Sequence, residues 1–303
     1  MSLPYEYEQL EFERTLEVCK RNDLIQQSRF TLTVQEQRMV LYAISKIKPD
    51  DETNTEYEIS LNDLYKIAGI NHRNYASLKD SLRKLDSKNW WAEQTDENGE
   101  MYETLVRWFA KIIIKPNSSV MKIKFHEEMA PYIFQLVQSG AFYTTYNLEY
   151  VLPMKSQYSP RLYEILKSYQ YNNNEWYFDT DKLKKLLDCE KYERYPDFRR
   201  YVLEPAVEEI NLYTDLKICY NVETKGRKVV RIVFCIDKKT IREMNQARDA
   251  RSEVTGQLTY DDIFDITAKS PEAEFWQERR KTKDNEEADH RRKMEELLGK
   301  GKK

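Results

Sequence analysis

Two short stretches of this chain gather guanidinium and ammonium groups with too few carboxylates to neutralise them. In "KYERYPDFRR" (residues 191–200), Lys191, Arg194, Arg199 and Arg200 outnumber the two acids Glu193 and Asp197. A helix begins here. At about 100° per residue, "FRRYVLEPAVEEIN" puts Phe198, Val202, Leu203, Ala206, Val207 and Ile210 in one half-circle and Asp197, Arg200, Tyr201, Glu204 and Glu208 in the other. A helix N-terminus already carries partial positive charge, so basic side chains there cost stability unless an anion is close. Phosphate is the natural neutraliser, since backbone N–H groups and guanidinium forks then converge on one group. The bland alternative is that Arg199 and Arg200 pair with Glu204 or Glu208 on the next turn. On this wheel Arg199 falls on the apolar side, with its stem at the core edge, and Arg200 points outward.

The second stretch is "TKGRKVVR" (224–231), with Lys225, Arg227, Lys228 and Arg231, no acid, and Gly226 as a turn signal. A hairpin selected only for solubility would mix signs. The two clusters together point to a polyanion, and duplex DNA is the reading that uses both: helix N-terminal side chains at base edges and the hairpin on phosphates.

The elements that must position these residues form an internal repeat offset by roughly 120 residues. The first copy opens with the amphipathic helix "TVQEQRMVLYAISKI". A short strand around Tyr57–Ile59, the helix "LNDLYKIAGI" and the helix "NYASLKDSLRKLDSK" follow. Two extended runs then flank the turn Asp96–Gly99. The second copy repeats the order: "SPRLYEILKSYQ", "EWYFD", "TDKLKKLLDCE", the arginine-rich helix, and two strands around Lys225–Gly226. The paired landmarks are Leu41–Tyr42 with Leu162–Tyr163, Tyr57 with Tyr177, Leu64 with Leu183, and Tyr75 with Phe198. Helix, strand, helix, turn, helix, strand, wing, strand is the plan of a winged helix, so the expected fold is α+β with two tandem winged-helix domains. The expected wing tip of the first copy, "QTDENGE", would repel phosphate, although its third helix offers Lys79 and Arg83 beside His72, Arg73 and Asn74. Between the copies "FHEEMAPYIFQLV" reads as a helix and "AFYTTYNLEYVL" as extended. The domains are therefore drawn at 1–147 and 148–246, followed by a charged helical or disordered tail over 247–303.

Composition narrows the function classes. The 303 residues carry 49 Lys and Arg against 52 Asp and Glu, a net charge of −3, so a nucleic-acid footprint has to be local. No apolar run approaches the ~18 residues of a membrane span, and no secretory signal is recognised, so a cytoplasmic location is expected. Four cysteines show no C-x-x-C spacing; Cys219 and Cys235 fall on neighbouring strands and read as buried free thiols. There is no G-x-x-x-x-G-K-[ST] motif to cradle a nucleotide. His72, His126 and His290 are too scattered for the paired-histidine metal site of a nicking enzyme. The chain is read as a non-enzyme without metal or cofactor. His126 reads as a helix-start residue, Asp50–Asp51 as capping or solvation, and Trp90–Trp91 as packing.

"RNDLIQQSRFTLTVQEQRMVLYAISKI", "SQYSPRLYEILKSY" and "FRRYVLEPAVEEIN", in this order, make residues 18–240 resemble the iteron-binding plasmid replication initiators of the Rep family. The resemblance implies binding to repeated double-stranded sites at an origin, origin opening, and recruitment of a host replication initiator and helicase machinery. It also implies a monomer–dimer division of labour in which dimers repress the protein's own gene. A winged-helix repressor without a replication role is the alternative, and a scaffold that binds only proteins is a third reading. The expected DNA-contact set is Lys191, Tyr192, Arg194, Tyr195, Arg199, Arg200, Lys225, Arg227 and Lys228 in the second copy. To these are added His72, Arg73, Asn74, Lys79 and Arg83 in the first copy, and Ser159 and Arg161 at the start of the second.

Overall fold

A computed structural model describes residues 17–68, 75–95, 98–115, 118–170 and 174–255. The chain enters on β1 (Glu17–Arg21) and α1 (Asn22–Gln27), then builds the first copy from α2 (Val34–Ser45), β2 (Tyr57–Ser60), α3 (Leu61–Ala68) and α4 (Tyr75–Asp86). Thr33 caps α2 in a reciprocal box, accepting from the Glu36 N–H while the Glu36 carboxylate accepts from the Thr33 N–H at 2.7 Å. The face Met39, Val40, Ala43 and Ile44 is buried, as the helical spacing demands.

Four strands follow: β3 (Asn89–Thr95), β4 (Met101–Arg107), β5 (Phe109–Ile114) and β6 (Val120–Phe125). They make two hairpins. β3 pairs only with β4 among the described strands, whereas β2, β6 and β5 form a three-stranded sheet in that order. The second copy runs α6 (Ser159–Tyr169), β8 (Glu175–Asp179), α7 (Thr180–Leu186) and then a long helical stretch. That stretch divides into α8 (Tyr195–Phe198), a π-helical turn (Arg199–Leu203) and α9 (Glu204–Tyr213). β9 (Leu216–Lys225) and β10 (Lys228–Lys238) complete a sheet of order β8–β10–β9. In both copies the strand that follows the first helix pairs with the last strand of the unit. These are two tandem winged helices.

That equivalence corrects two expectations. The wing of the first copy is the β5–β6 hairpin and not the additional β3–β4 hairpin, to which the acidic "QTDENGE" belongs in sequence, with residues 96–97 outside the described residues. Secondly, Ile59 and Phe178 both precede a helix by two residues and both face the core, so Tyr57 corresponds to Trp176. Tyr177 lies on the opposite face and is 55% exposed. A one-residue slip in a strand exchanges faces, and both residues being tyrosine disguised it.

The segment between the copies holds less helix than expected: a 3₁₀ turn (Glu127–Met129) and the four-residue α5 (Ala130–Ile133). His126 does cap this start, its Nδ1 accepting from the Glu128 N–H. β7 (Tyr143–Asn147) returns to pair antiparallel with β1. Trp90 is fully buried against Trp108 and Tyr132, but Trp91 is half exposed, so only one of the tryptophans packs. After β10, α10 (Ile241–Thr255) is anchored by Arg251, which donates to the Tyr213 carbonyl at 2.7 Å and to Glu149 at 3.0 Å. The first residues assigned to the tail therefore belong to the fold; those from 256 lie outside the described residues.

Helix α6 is buried on nearly all sides, because β1, β7 and α1 cover one face and the second copy covers the other. At its centre Glu164 meets Lys20 of β1 in an ion pair whose side chains are each 3% exposed. Glu164 also accepts from the Tyr146 hydroxyl of β7, and Arg161 lies 3.9 Å from its other oxygen. Arg161 donates to the Ser28 carbonyl at 2.7 Å and stacks over Phe30. Burial pushes Lys20 below its ordinary pKa and lowers Arg161 to about 10, while Glu164 opposes both shifts.

Removing the carboxylate would leave two buried cations without their counter-charge. Glu164→Ala is expected to cost about 3–5 kcal/mol of stability, measured as a fall in denaturant midpoint at unchanged slope. A decrease no larger than that of an exposed charge would show that the cluster does not hold the two copies together.

Candidate nucleic-acid interface

The basic turn before α8 is positioned by the end of α7. Asp188 adopts a left-handed conformation (φ 47°), and the N–H groups of Cys189 and Asp188 return to the carbonyls of Lys184 (2.9 Å) and Lys185 (3.0 Å). This is the paired-bond helix stop usually built on glycine; here the Asp188 carboxylate is also held by the Thr31 hydroxyl from the first copy. Lys184, buried, spans the turn by donating to the Glu193 carbonyl at 2.9 Å and sits over the Phe198 ring. The turn is thereby pinned from below, and Lys191 and Arg194 face outward. Arg194 lies 3.7 Å from Asp197, but its side chain is 78% exposed, so that pair is weak and easily exchanged. Tyr192 stacks on Tyr201, with ring centroids 5.7 Å apart.

Arginines 199 and 200 diverge because of Pro205. A proline inside a helix has no N–H to donate four residues back, and its ring presses on that carbonyl. The chain answers with a π-helical turn just upstream, the Glu204 N–H returning five residues to the Arg199 carbonyl. In this wider turn residues five apart share a face. Arg199 consequently points outward and pairs with Glu204 at 2.7 Å, both side chains about half exposed. The wheel of regular α-helical pitch had set Arg199 at the core edge; the π turn overturns that, and the pairing weighed as the bland alternative holds for this residue. Arg200 is exposed as expected, its guanidinium 5.3 Å from the Tyr201 ring centroid, with no carboxylate partner among the described residues.

The helix start and the wing strand come together near Tyr220 of β9, which acts electrostatically on both Tyr195 and Arg199. Burial, with Tyr220 adding to it, pushes the Tyr195 hydroxyl up to about 12. Above this contact the β9–β10 hairpin turns through Gly226 and Arg227 alone, between Lys225 and Lys228. Gly226 has φ +63° and Arg227 does not share the positive φ, the pattern of a type II′ turn that favours glycine at its first position. Lys225, Arg227 and Lys228 are all exposed, and Lys228 makes one loose pair with Asp181 at 3.5 Å. Arg231 is neutralised by Asp179 (3.2 Å) and Glu223 (3.6 Å), which takes it out of the anion-facing set.

Other expected contacts separate. Ser159 and Arg161 are buried at 0% and 4% exposure, and Arg161 serves the contact between the copies; neither faces a duplex. In the first copy Lys79 and Arg83 lie exposed on α4, and Lys84 is engaged by Asp80 at 2.7 Å. His72, Arg73 and Asn74 lie outside the described residues. Two exposed residues escaped the sequence reading. Tyr201 was already on the outer half of the wheel, but was not weighed beside Arg200. Lys115, at the tip of the true first wing, was hidden by the misassigned hairpin.

Residues 17–167 match the family model described as "Initiator Replication protein, WH1", and residues 179–236 match "Initiator Rep protein, WH2". The chain belongs to the initiator replication protein family. Among relatives of this initiator, a replication initiation protein of Escherichia coli is 27% identical over 267 residues, covering 81% of this chain and 79% of the relative. The PI protein of Escherichia coli is 29% identical over 150 residues, covering 45% of this chain and 48% of that protein. The crystal structure of Pi initiator protein in complex with iteron DNA matches the fold with a TM-score of 0.58 at 24% identity, over 75% of this chain and 98% of that one. The initiator is thus a replication protein built from two winged helices. No helix among its described residues is long and apolar enough to cross a membrane.

The exposed Arg199–Glu204 pair yields the first mutational expectation for this surface. Arg199→Ala should leave the melting temperature of the initiator unchanged, because solvent screens an ion pair of this kind. Early melting would mean that the arginine stem packs on the core after all.

Proposed function

We propose that this initiator binds repeated double-stranded sites at a plasmid origin chiefly through its second winged helix. The carrying observation is that this one unit exposes both Arg200, on its third helix, and a hairpin of Lys225, Arg227 and Lys228. Arg200, Lys225 and Arg227 have no carboxylate partner among the described residues. Arg200 reads base edges, Lys191 and Arg194 hold the backbone beside it, and the wing engages phosphate. Tyr192, stacked on Tyr201, and Tyr195, edge-on to Phe198, brace the helix start. The first copy makes a secondary contact through Lys79 and Arg83, with His72, Arg73 and Asn74 assigned to the same surface, and carries protein contacts, including a second copy of the chain.

Without a nucleotide-binding motif in the sequence, opening of the origin draws on DNA-binding energy stored as bending or melting, and on a host replication initiator and helicase recruited to the site. Autorepression by dimers, and a cytoplasmic setting, complete the reading. The Pi initiator, whose solved structure shares this fold, is bound there to iteron DNA, which supports DNA of that kind as the ligand.

Both halves of the proposed interface can be tested in the full chain, where the buried face of α6 remains covered. Arg200→Ala is expected to lose preference at one or two base positions, by about 1–3 kcal/mol, in profiles selected from a random duplex pool, while keeping most non-specific affinity. An unchanged profile would sink the assignment of Arg200. Replacing Lys225, Arg227 and Lys228 by Ala should weaken binding to every duplex about equally. It should also reduce the slope of log K against log salt by roughly one for each phosphate no longer neutralised; an unchanged slope would return the wing to an ordinary solvated hairpin.

A further inference from the structure

Below the wing tip, β9 and β10 bring two cysteines face to face. In the antiparallel register Cys235 is directly opposite Cys219, and the side chains share the outer face of the sheet, between the buried residues Ile218 and Ile236 on one side of the ladder and Phe234 on the other. Directly opposed residues in such a pair have Cα atoms about 4.5–5.5 Å apart, inside the roughly 4.4–6.8 Å that disulfides span. Both thiols are free, but neither is buried as expected, because the alternation of the strands turns them to the outer face: Cys219 is exposed and Cys235 half-buried. The chain's other two cysteines lack this arrangement. Cys189 is fully buried, and burial pushes its thiol up to about 12; Cys19 is part-buried, 3.3 Å from the Thr145 hydroxyl and on a different sheet.

We propose that Cys219 and Cys235 form a dithiol modification site for low-molecular-weight disulfides, which close it to a cross-strand disulfide beneath the wing. Cys219 is the entry point. Its thiolate attacks one sulfur of the small disulfide, forming a mixed disulfide and releasing one small thiolate. The Cys235 sulfur then attacks the Cys219 sulfur, loses its proton to solvent, and expels the second small thiolate. Two protein thiols are oxidised to one disulfide while one small disulfide is reduced to two thiols. The order follows from the surroundings. Cys219 is open to solvent, whereas Cys235 is half-buried, lies opposite Glu175 of β8 and is two residues from Asp237, and the neighbouring Cys219 raises its thiol to about 11. A thiol that holds its proton is a poor first nucleophile, yet it resolves a neighbouring mixed disulfide readily when held in contact with it. The crosslink closes the loop that carries Lys225, Arg227 and Lys228, so it also restrains those strands in the unfolded chain.

The experiment treats the full-length initiator with oxidised glutathione, quenches with an alkylating reagent, and maps peptides without reduction. The expected product is a Cys219–Cys235 crosslinked peptide, with Cys19 and Cys189 alkylated only after unfolding, and a folded protein that melts at a higher temperature than its reduced form. In the Cys235→Ser variant the reaction should stop at a mixed disulfide of glutathione on Cys219. A mixed disulfide that persists in the wild type as fully as in that variant, a crosslink through Cys19 or Cys189, or no modification of Cys219 would each overturn the proposal.

Discussion

The fold turns on one buried carboxylate. Glu164 lies between Lys20 from the first strand and Arg161 from its own helix, with the Tyr146 hydroxyl as a third partner, in a region where all these groups are withdrawn from water. Taking three charges out of solvent is unfavourable unless each finds a partner, so this arrangement tolerates few relative positions of α6, β1 and β7. α6 opens the second winged helix, and β1 and β7 pair around the first, so the constraint sets the relation between the copies. Arg161 extends it to α1 through the Ser28 carbonyl, and the Thr31–Asp188 contact extends it to the end of α7. From there the turn that displays Lys191 and Arg194 is determined. The surface proposed to face DNA thus inherits its placement from a contact that no solvent reaches.

Pro205 acts on a smaller scale with equal consequence. By denying the helix one N–H it forces a π-helical turn, and the extra residue per turn re-aims everything upstream of it. Arg199 moves out of the core edge and is consumed by Glu204, leaving Arg200 as the arginine with unspent charge. One proline therefore sorts two adjacent arginines into a paired and an open role. The wing completes this division: Arg231 is tied to two carboxylates, while Lys225 and Arg227 at the tip are left open.

Much of this was legible in the chain itself, because periodicity and turn chemistry are local. The stripe Met39, Val40, Ala43, Ile44 fixed α2, Gly226 marked the second wing, and the order of elements recurring in both copies identified two winged helices. The basic helix start and basic hairpin were visible as charge imbalance, and Arg200 was correctly placed outward. The failures share a cause, since each depended on something beyond its own neighbours. Tyr177 was taken for the counterpart of Tyr57 because adjacent aromatics hide a one-residue slip in a strand. The acidic hairpin was taken for a wing because two successive hairpins look alike until it is known which strand joins β2.

The amino-acid sequence by itself determined the architecture, the family and the two basic clusters, since hydrophobic spacing, capping residues and net local charge act over a few residues. Tertiary structure alone decided which charges remain available. Arg161 reads as one more surface arginine beside a helix start, yet burial against Ser28, Phe30 and Glu164 makes it part of the interior. Cys219 and Cys235 are sixteen positions apart in the chain and directly opposed in space, because strand register brings them together. Pairing and desolvation are properties of neighbours in space, and those neighbours are assigned only when the chain closes on itself.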